Sequence, residues 1–145
     1  MGMGLLTRLG RGPERVGLFV DGPNVLREEF AVDLDDVRAA AGERGRLALT
    51  RLYLDENAPA ELVRAAEARG FEVVTTSGDV DVRLAVDATA TLDNLDVVVV
   101  VSRDTDFKPV LERAAREGVQ TVVIAPGEHG RSDTLRNAAQ EARTL

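Results

Sequence analysis

Five valines in a row, Val97–Val101, set the tightest constraint on how this chain can fold. A strand that is apolar at every position is buried on both faces, and sheets buried on both faces are parallel sheets covered by helices. Four further runs read as strands: Val16–Val20, Leu47–Leu54, Phe71–Thr75 and Val119–Ile124. Helical patterns separate them. Val25–Phe30 and Leu34–Glu43 form a two-part helical stretch that Gly42 and Gly45 close, as C-terminal glycines do. Pro59–Arg69 carries Pro at its first turn and Gly70 at its stop, and Val82–Leu92 has Asp81 at its start. Phe107–Glu117 sets Phe107, Val110, Leu111, Ala114 and Ala115 along one stripe ending at Gly118. A last helix is expected from about Ser132, with Leu135, Ala138, Ala139 and Ala142 as its apolar face. Strands alternating with helices imply right-handed crossovers. The expected fold is therefore an α/β three-layer sandwich with a five-stranded parallel sheet in the order 3-2-1-4-5.

At 145 residues the chain fits one domain. The first fifteen residues (MGMGLLTRLGRGPER) read as a flexible leader, with a start at Met3 left open, and residues 16–145 as the domain. Aromatics make up only 3%, so the core must be built from Val, Leu and Ala. Without cysteine there are no disulfides, thiolate zinc sites or cysteine nucleophiles, which fits a cytoplasmic setting. No apolar run approaches the roughly 20 residues of a membrane span. A net charge of −7 and a pI near 4.8 argue against nucleic-acid binding by bulk attraction. They leave room for an enzyme that recruits cations and offers a local Arg. Lys108 is the only lysine, a composition that fits salt adaptation or a GC-rich genome equally.

Two of the strands run into aspartate. Val16–Val20 leads to Asp21-Gly22-Pro23-Asn24, and Val97–Val101 leads through Ser102-Arg103 to Asp104-Thr105-Asp106. In the order 3-2-1-4-5 these are the two strands that flank the reversal, and open α/β sheets bind ligands outside the carboxyl ends of strands at that point. Carboxylates gathered there repel unless a cation joins them, which points to a hard divalent metal. Each residue also has a plainer use. Asp21 and Asn24 suit an Asx-type turn around Gly-Pro. Asp106 stands where a helix N-cap belongs. Asp81 opens a helix and reaches the site from the side. Asp87 lies about 120° from it around the helix and four residues after Arg83, a spacing that makes a surface ion pair. Asp79 reads as a loop residue, His129 as a solvated loop histidine and Ser132 as a helix cap. Arg103, beside Asp104, suits holding a phosphate or offsetting the carboxylates.

These segments resemble the NYN domain family of the PIN-like nuclease superfamily. FVDGPN (Phe19–Asn24) is similar to its first-strand motif, GDVDVRLAVD (Gly78–Asp87) to its helix start, and VVVVSRDTDFKPVL (Val98–Leu111) to its S-G-D-x-D-F segment. The resemblance implies a PIN-like sandwich and a ribonuclease dependent on Mg²⁺ or Mn²⁺. It makes Asp21, Asp81, Asp104 and Asp106 the catalytic and metal-binding quartet, with Asn24 and Asp87 in support. Asp87 is expected as a further metal ligand, and Asn24, Ser102 and Arg103 are expected as substrate contacts. RNA is the implied partner, with no membrane and with a homodimer left open. Arg103 stands where the family commonly has Gly, and Thr76-Ser77 replaces a basic residue. An archaeal branch of the family resembles the chain in both.

A non-catalytic RNA- or protein-binding domain with a weakened metal site is the alternative. Phosphotransfer domains also place Asp at strand ends, but the fit is poor. Haloacid-type phosphatases want a second Asp where this chain has Pro23. Receivers want an Asp at the end of the third strand and a Lys after the fifth, where this chain has Thr75-Thr76 and Ala125-Pro126.

Overall fold

The computed structural model describes residues 12–26, 32–104, 107–125, 139 and 141–144. Strand β1 (Arg15–Asp21) leads into a single helical turn, α1 (Gly22–Val25), then α2 (Leu34–Gly42) and β2 (Arg46–Asp55). Helix α3 (Ala60–Ala68), β3 (Glu72–Thr76) and α4 (Val80–Thr91) follow, with a 3-10 turn at Leu92–Asn94 before β4 (Val97–Val101). Helix α5 (Lys108–Arg116), β5 (Gln120–Ala125) and β6 (Glu141–Thr144) complete the described elements. All strand pairs are parallel, in the order β3-β2-β1-β4-β5-β6.

The alternation of side chains along each strand builds two cores, one per face. Val16, Leu18 and Val20 of β1 pack with Val97, Val99 and Val101 of β4 under α2 and α3. Phe19, Tyr53, Val98 and Val100 face the other way, against Leu84 and Ala88 of α4 and Val110, Leu111 and Ala114 of α5. All five valines of β4 are buried, as expected of a central strand. Strand β1 is held between β2 and β4, so the reversal of strand order falls between β1 and β4.

Among the described residues the sheet has six strands where five were expected. Residues 126–138 and 140 lie outside the described ones, and with them His129, Ser132, Leu135 and Ala138 of the expected loop and last helix. Within that helix's expected span, Glu141–Thr144 is instead a strand, with Ala142 paired to Val123. The sequence EART has good helix formers and no apolar alternation. Pairing with the open edge of β5 overrides that preference, because strand formation depends on neighbours more than on composition. Ion pairs anchor it: Glu141 to Arg44 at 2.6 Å and Arg143 to Glu43 at 2.5 Å, both at the end of α2. On α5, Ala115 is exposed and the buried stripe is Val110, Leu111 and Ala114. Of the expected first helical stretch, Val25–Phe30, only Val25 and Leu26 are described; Val25 ends the short turn α1, and residues 27–31 lie outside the described set. Among the described residues no helix is long and apolar enough to cross a membrane.

Candidate acidic site at the strand-order reversal

The carboxyl ends of β1, β2 and β4 and the start of α4 surround a cleft of about 360 Å³. Asp21, Asn24, Asp55, Asp79, Asp81 and Asp104 line it together with Pro23, Gly78 and Val80. Of the expected acidic residues, Asp21, Asp81 and Asp104 therefore meet in one place. Asp106 lies outside the described residues.

Local structure explains why Asp21 is where it is. The last residue of β1, it turns directly into α1, and the turn presses against β2. A Cβ added to Gly22 would sit 2.5 Å from the carbonyl oxygen of Tyr53 and collide with Leu54, so only glycine permits this approach. Pro23, in the first turn of α1, loses no hydrogen bond there. The register of β1 on β4 pairs Val20 with Val101, and the next step sets Asp21 beside Ser102.

Ser102 is fully buried. Its hydroxyl lies 3.2 Å from Oδ2 of Asp21 and 3.3 Å from Oδ1 of Asn24, and it accepts the Asp104 N–H at 3.0 Å. Oδ1 of Asn24 also accepts the Arg103 N–H at 2.9 Å. One hydroxyl and one carboxamide thus bind the ends of the two central strands together. Ser102 braces the site from within, and Asn24 and Arg103 share in that brace through side chain and backbone respectively.

Asp21 is 4% exposed. Burial pushes its carboxyl up to about 6, and the charges of Asp104 and Asp81 push the same way, while the Ser102 hydroxyl and the Asn24 backbone N–H act against them. A carboxylate buried this far and repelled from two sides is a place where a divalent cation lowers the free energy. The donor set, hard oxygen atoms from aspartate, fits Mg²⁺ or Mn²⁺. Among the described residues no three acidic or histidine side chains are already close enough to hold an ion as a finished set.

Asp87 is not among the residues that line the cleft. Its Oδ2 accepts the Tyr53 hydroxyl at 2.9 Å, and Arg83 pairs with the same carboxylate at 3.2 Å. The ion pair with Arg83 was legible from the four-residue spacing; the partner on β2 was not. Two cleft residues had carried little or no weight in the sequence. Asp79 stands at the N-cap position of α4 without a capping hydrogen bond from its side chain. Asp55 closes β2, with Oδ1 accepting the Asn57 N–H at 2.8 Å. A third strand ending in aspartate was the signal for it.

The sequence model of the NYN domain family matches residues 15–145. An uncharacterized protein of Methanocaldococcus jannaschii is 41% identical over 135 residues, covering 92% of this chain and 56% of that protein. The chain thus spans little more than half the length of this archaeal relative. The crystal structure of a protein of unknown function from Vibrio parahaemolyticus superposes with a TM-score of 0.81 at 23% identity, over 93% of this chain and 94% of that one, a likeness of fold.

Proposed function

The chain belongs to the NYN domain family, and we propose that its acidic cleft hydrolyses RNA phosphodiester bonds with the aid of bound Mg²⁺ or Mn²⁺. The observation that carries this reading is the convergence of Asp21, Asp81 and Asp104 from β1, α4 and the end of β4, with mutual repulsion felt at a buried carboxyl. Asp21, Asp81 and Asp104, with Asp106, would hold the ion. When bound, such a cation helps ionise an attacking water and offsets charge building on the phosphoryl oxygens.

The remaining steps belong to the chain's own groups. Asp21 stays fixed because the Ser102 hydroxyl and the Asn24 backbone N–H hold it. Asn24 has its carboxamide oxygen occupied by Arg103 and Ser102, which leaves its two side-chain N–H donors for a phosphate oxygen. Arg103 joins the same brace through its backbone N–H to Asn24 and carries the basic charge next to Asp104 in sequence. The test is cleavage of a labelled RNA with Mn²⁺. Asp104→Asn and Asp21→Asn should each abolish it while circular dichroism stays native, and cleavage equal to wild type would overturn the assignment.

One observation favours a second reading. Arg103 stands beside Asp104 where the family commonly has Gly, which suits a domain that binds RNA or protein at this cleft without turnover. Mn²⁺ binding without cleavage across several RNA substrates would select it.

A further inference from the structure

The acidic residue that the cleft leaves out is held by a strut of its own. Tyr53 and Asp21 are register partners on β2 and β1. By strand alternation both face the α4 side of the sheet, where Tyr53 packs with Phe19, Leu84 and Ala88. The Tyr53 ring is buried and stacks on Phe19 with centroids 6.5 Å apart. Its hydroxyl donates to Oδ2 of Asp87 at 2.9 Å. Burial first, and the Asp87 carboxylate second, push that hydroxyl well above its ordinary range, so it remains a donor at any working pH. Arg83 Nε donates to both oxygens of the same carboxylate, each at 3.2 Å.

Asp87 sits on the same helix as Asp81, six residues further on. That separation is about 9 Å along the axis and about 120° around it, and only Asp81 of the two lines the cleft. Helix α4 therefore has its N-terminal turn at the cleft and its middle fastened to the strand position beside Asp21. We infer that Asp87 is a positioning residue and not a metal ligand: through the Tyr53 hydroxyl it sets the height and rotation of α4 over the sheet, and so the place of Asp81 opposite Asp21. This inference rests on the proposed metal-dependent site for its functional readout, and on the hydrogen bond alone for its structural one.

The test uses the full chain and separates ligation from positioning by chemistry. Asp87→Asn loses the charge a metal ligand needs but keeps an oxygen that accepts from Tyr53. Asp87→Ala and Tyr53→Phe both break the strut. Mn²⁺ affinity is measured by titration calorimetry, and backbone hydrogen exchange across α4 is measured without metal. Positioning predicts that Tyr53→Phe and Asp87→Ala each weaken Mn²⁺ binding by about tenfold, the low end of what ligand-orienting partners are worth. The double variant should be no worse than either single one, Asp87→Asn should stay within about twofold of wild type, and exchange should quicken in the first turn of α4. If Asp87→Asn is as damaging as Asp87→Ala while Tyr53→Phe is harmless, Asp87 is a ligand and the inference falls. Wild-type affinity in every variant, with only a lowered melting temperature, also overturns it. Should the wild-type protein bind no Mn²⁺, the metal-dependent reading fails by itself. Unaltered exchange in the first turn of α4 in Tyr53→Phe then rejects the strut.

Discussion

The Ser102 hydroxyl lies 3.2 Å from Oδ2 of Asp21, joining the ends of β4 and β1 across 81 residues of sequence. The same oxygen accepts the Asp104 N–H, so one buried atom sets the spacing of two acidic residues of the cleft. Ser102→Ala removes a donor from a buried carboxylate and an acceptor from a backbone N–H. An unsatisfied buried group costs about 1–3 kcal/mol. The variant should melt at lower denaturant by that amount and lose Mn²⁺-dependent RNA cleavage. Unchanged stability in urea would show that the brace is not coupled to the fold.

The raised Asp21 carboxyl makes metal-free stability fall with pH. Its ordinary value of 3.8 is shifted to about 6, with burial the largest cause. Between those two values the folded protein binds a proton that the unfolded chain has released, so stability drops as pH rises through that window. At 1.36 kcal/mol per pH unit the full loss is about 3 kcal/mol. Asp21→Asn, which cannot ionise, should be more stable than wild type above pH 6 in EDTA and equal to it below pH 4. Adding Mn²⁺ at pH 7.5 should reverse the ranking. Thermal melts at the two pH values decide the matter.

The site was legible where the chemistry lay along one strand and hidden where it lay between strands. The run Val97–Val101 announced a central strand, and two strands running into Asp21 and, past Ser102-Arg103, into Asp104 announced the cleft once the order placed them side by side. Asp55 directly follows the expected strand Leu47–Leu54, but β2 lies on the far side of β1 from the β1–β4 reversal where the acids were sought. The buried role of Ser102 depends on a partner 81 residues away, and that of Asp87 on a tyrosine 34 residues away. Neither spacing carries a periodic signal. Strand β6 was hidden for another reason, since Glu141–Thr144 has the local preference of a helix and becomes a strand only on the open edge of β5.

Gly22 tests whether the close approach of the Asp21 turn to β2 matters. An added Cβ meets the Tyr53 carbonyl at 2.5 Å, a backbone atom that has no rotamer to relieve the clash. Gly22→Ala should therefore shift the turn and cost about 1–3 kcal/mol, as overpacked sites do, and displace Asp21 and Asn24 from Ser102. The expected result is a destabilised protein with Mn²⁺ affinity reduced alongside. A variant with native melting and native affinity would mean that the turn is free to move.

The described lining of the cleft holds five aspartates, Asp21, Asp55, Asp79, Asp81 and Asp104, and no basic side chain. A polyphosphate entering that field meets repulsion from each, worth on the order of 1 kcal/mol per close pair in water and more where water is excluded. RNA should therefore bind after the cations and not before them. Fluorescence anisotropy with a short single-stranded RNA should give at least about tenfold tighter binding in Mn²⁺ than in EDTA. Because the barrier is the lining charge itself, Asp55→Asn should bind RNA more tightly than wild type in EDTA, with the amide oxygen still able to accept the Asn57 N–H that Oδ1 takes now. RNA affinity that is the same with and without divalent ions, and unmoved by Asp55→Asn, would place the nucleic acid on some other surface of the protein.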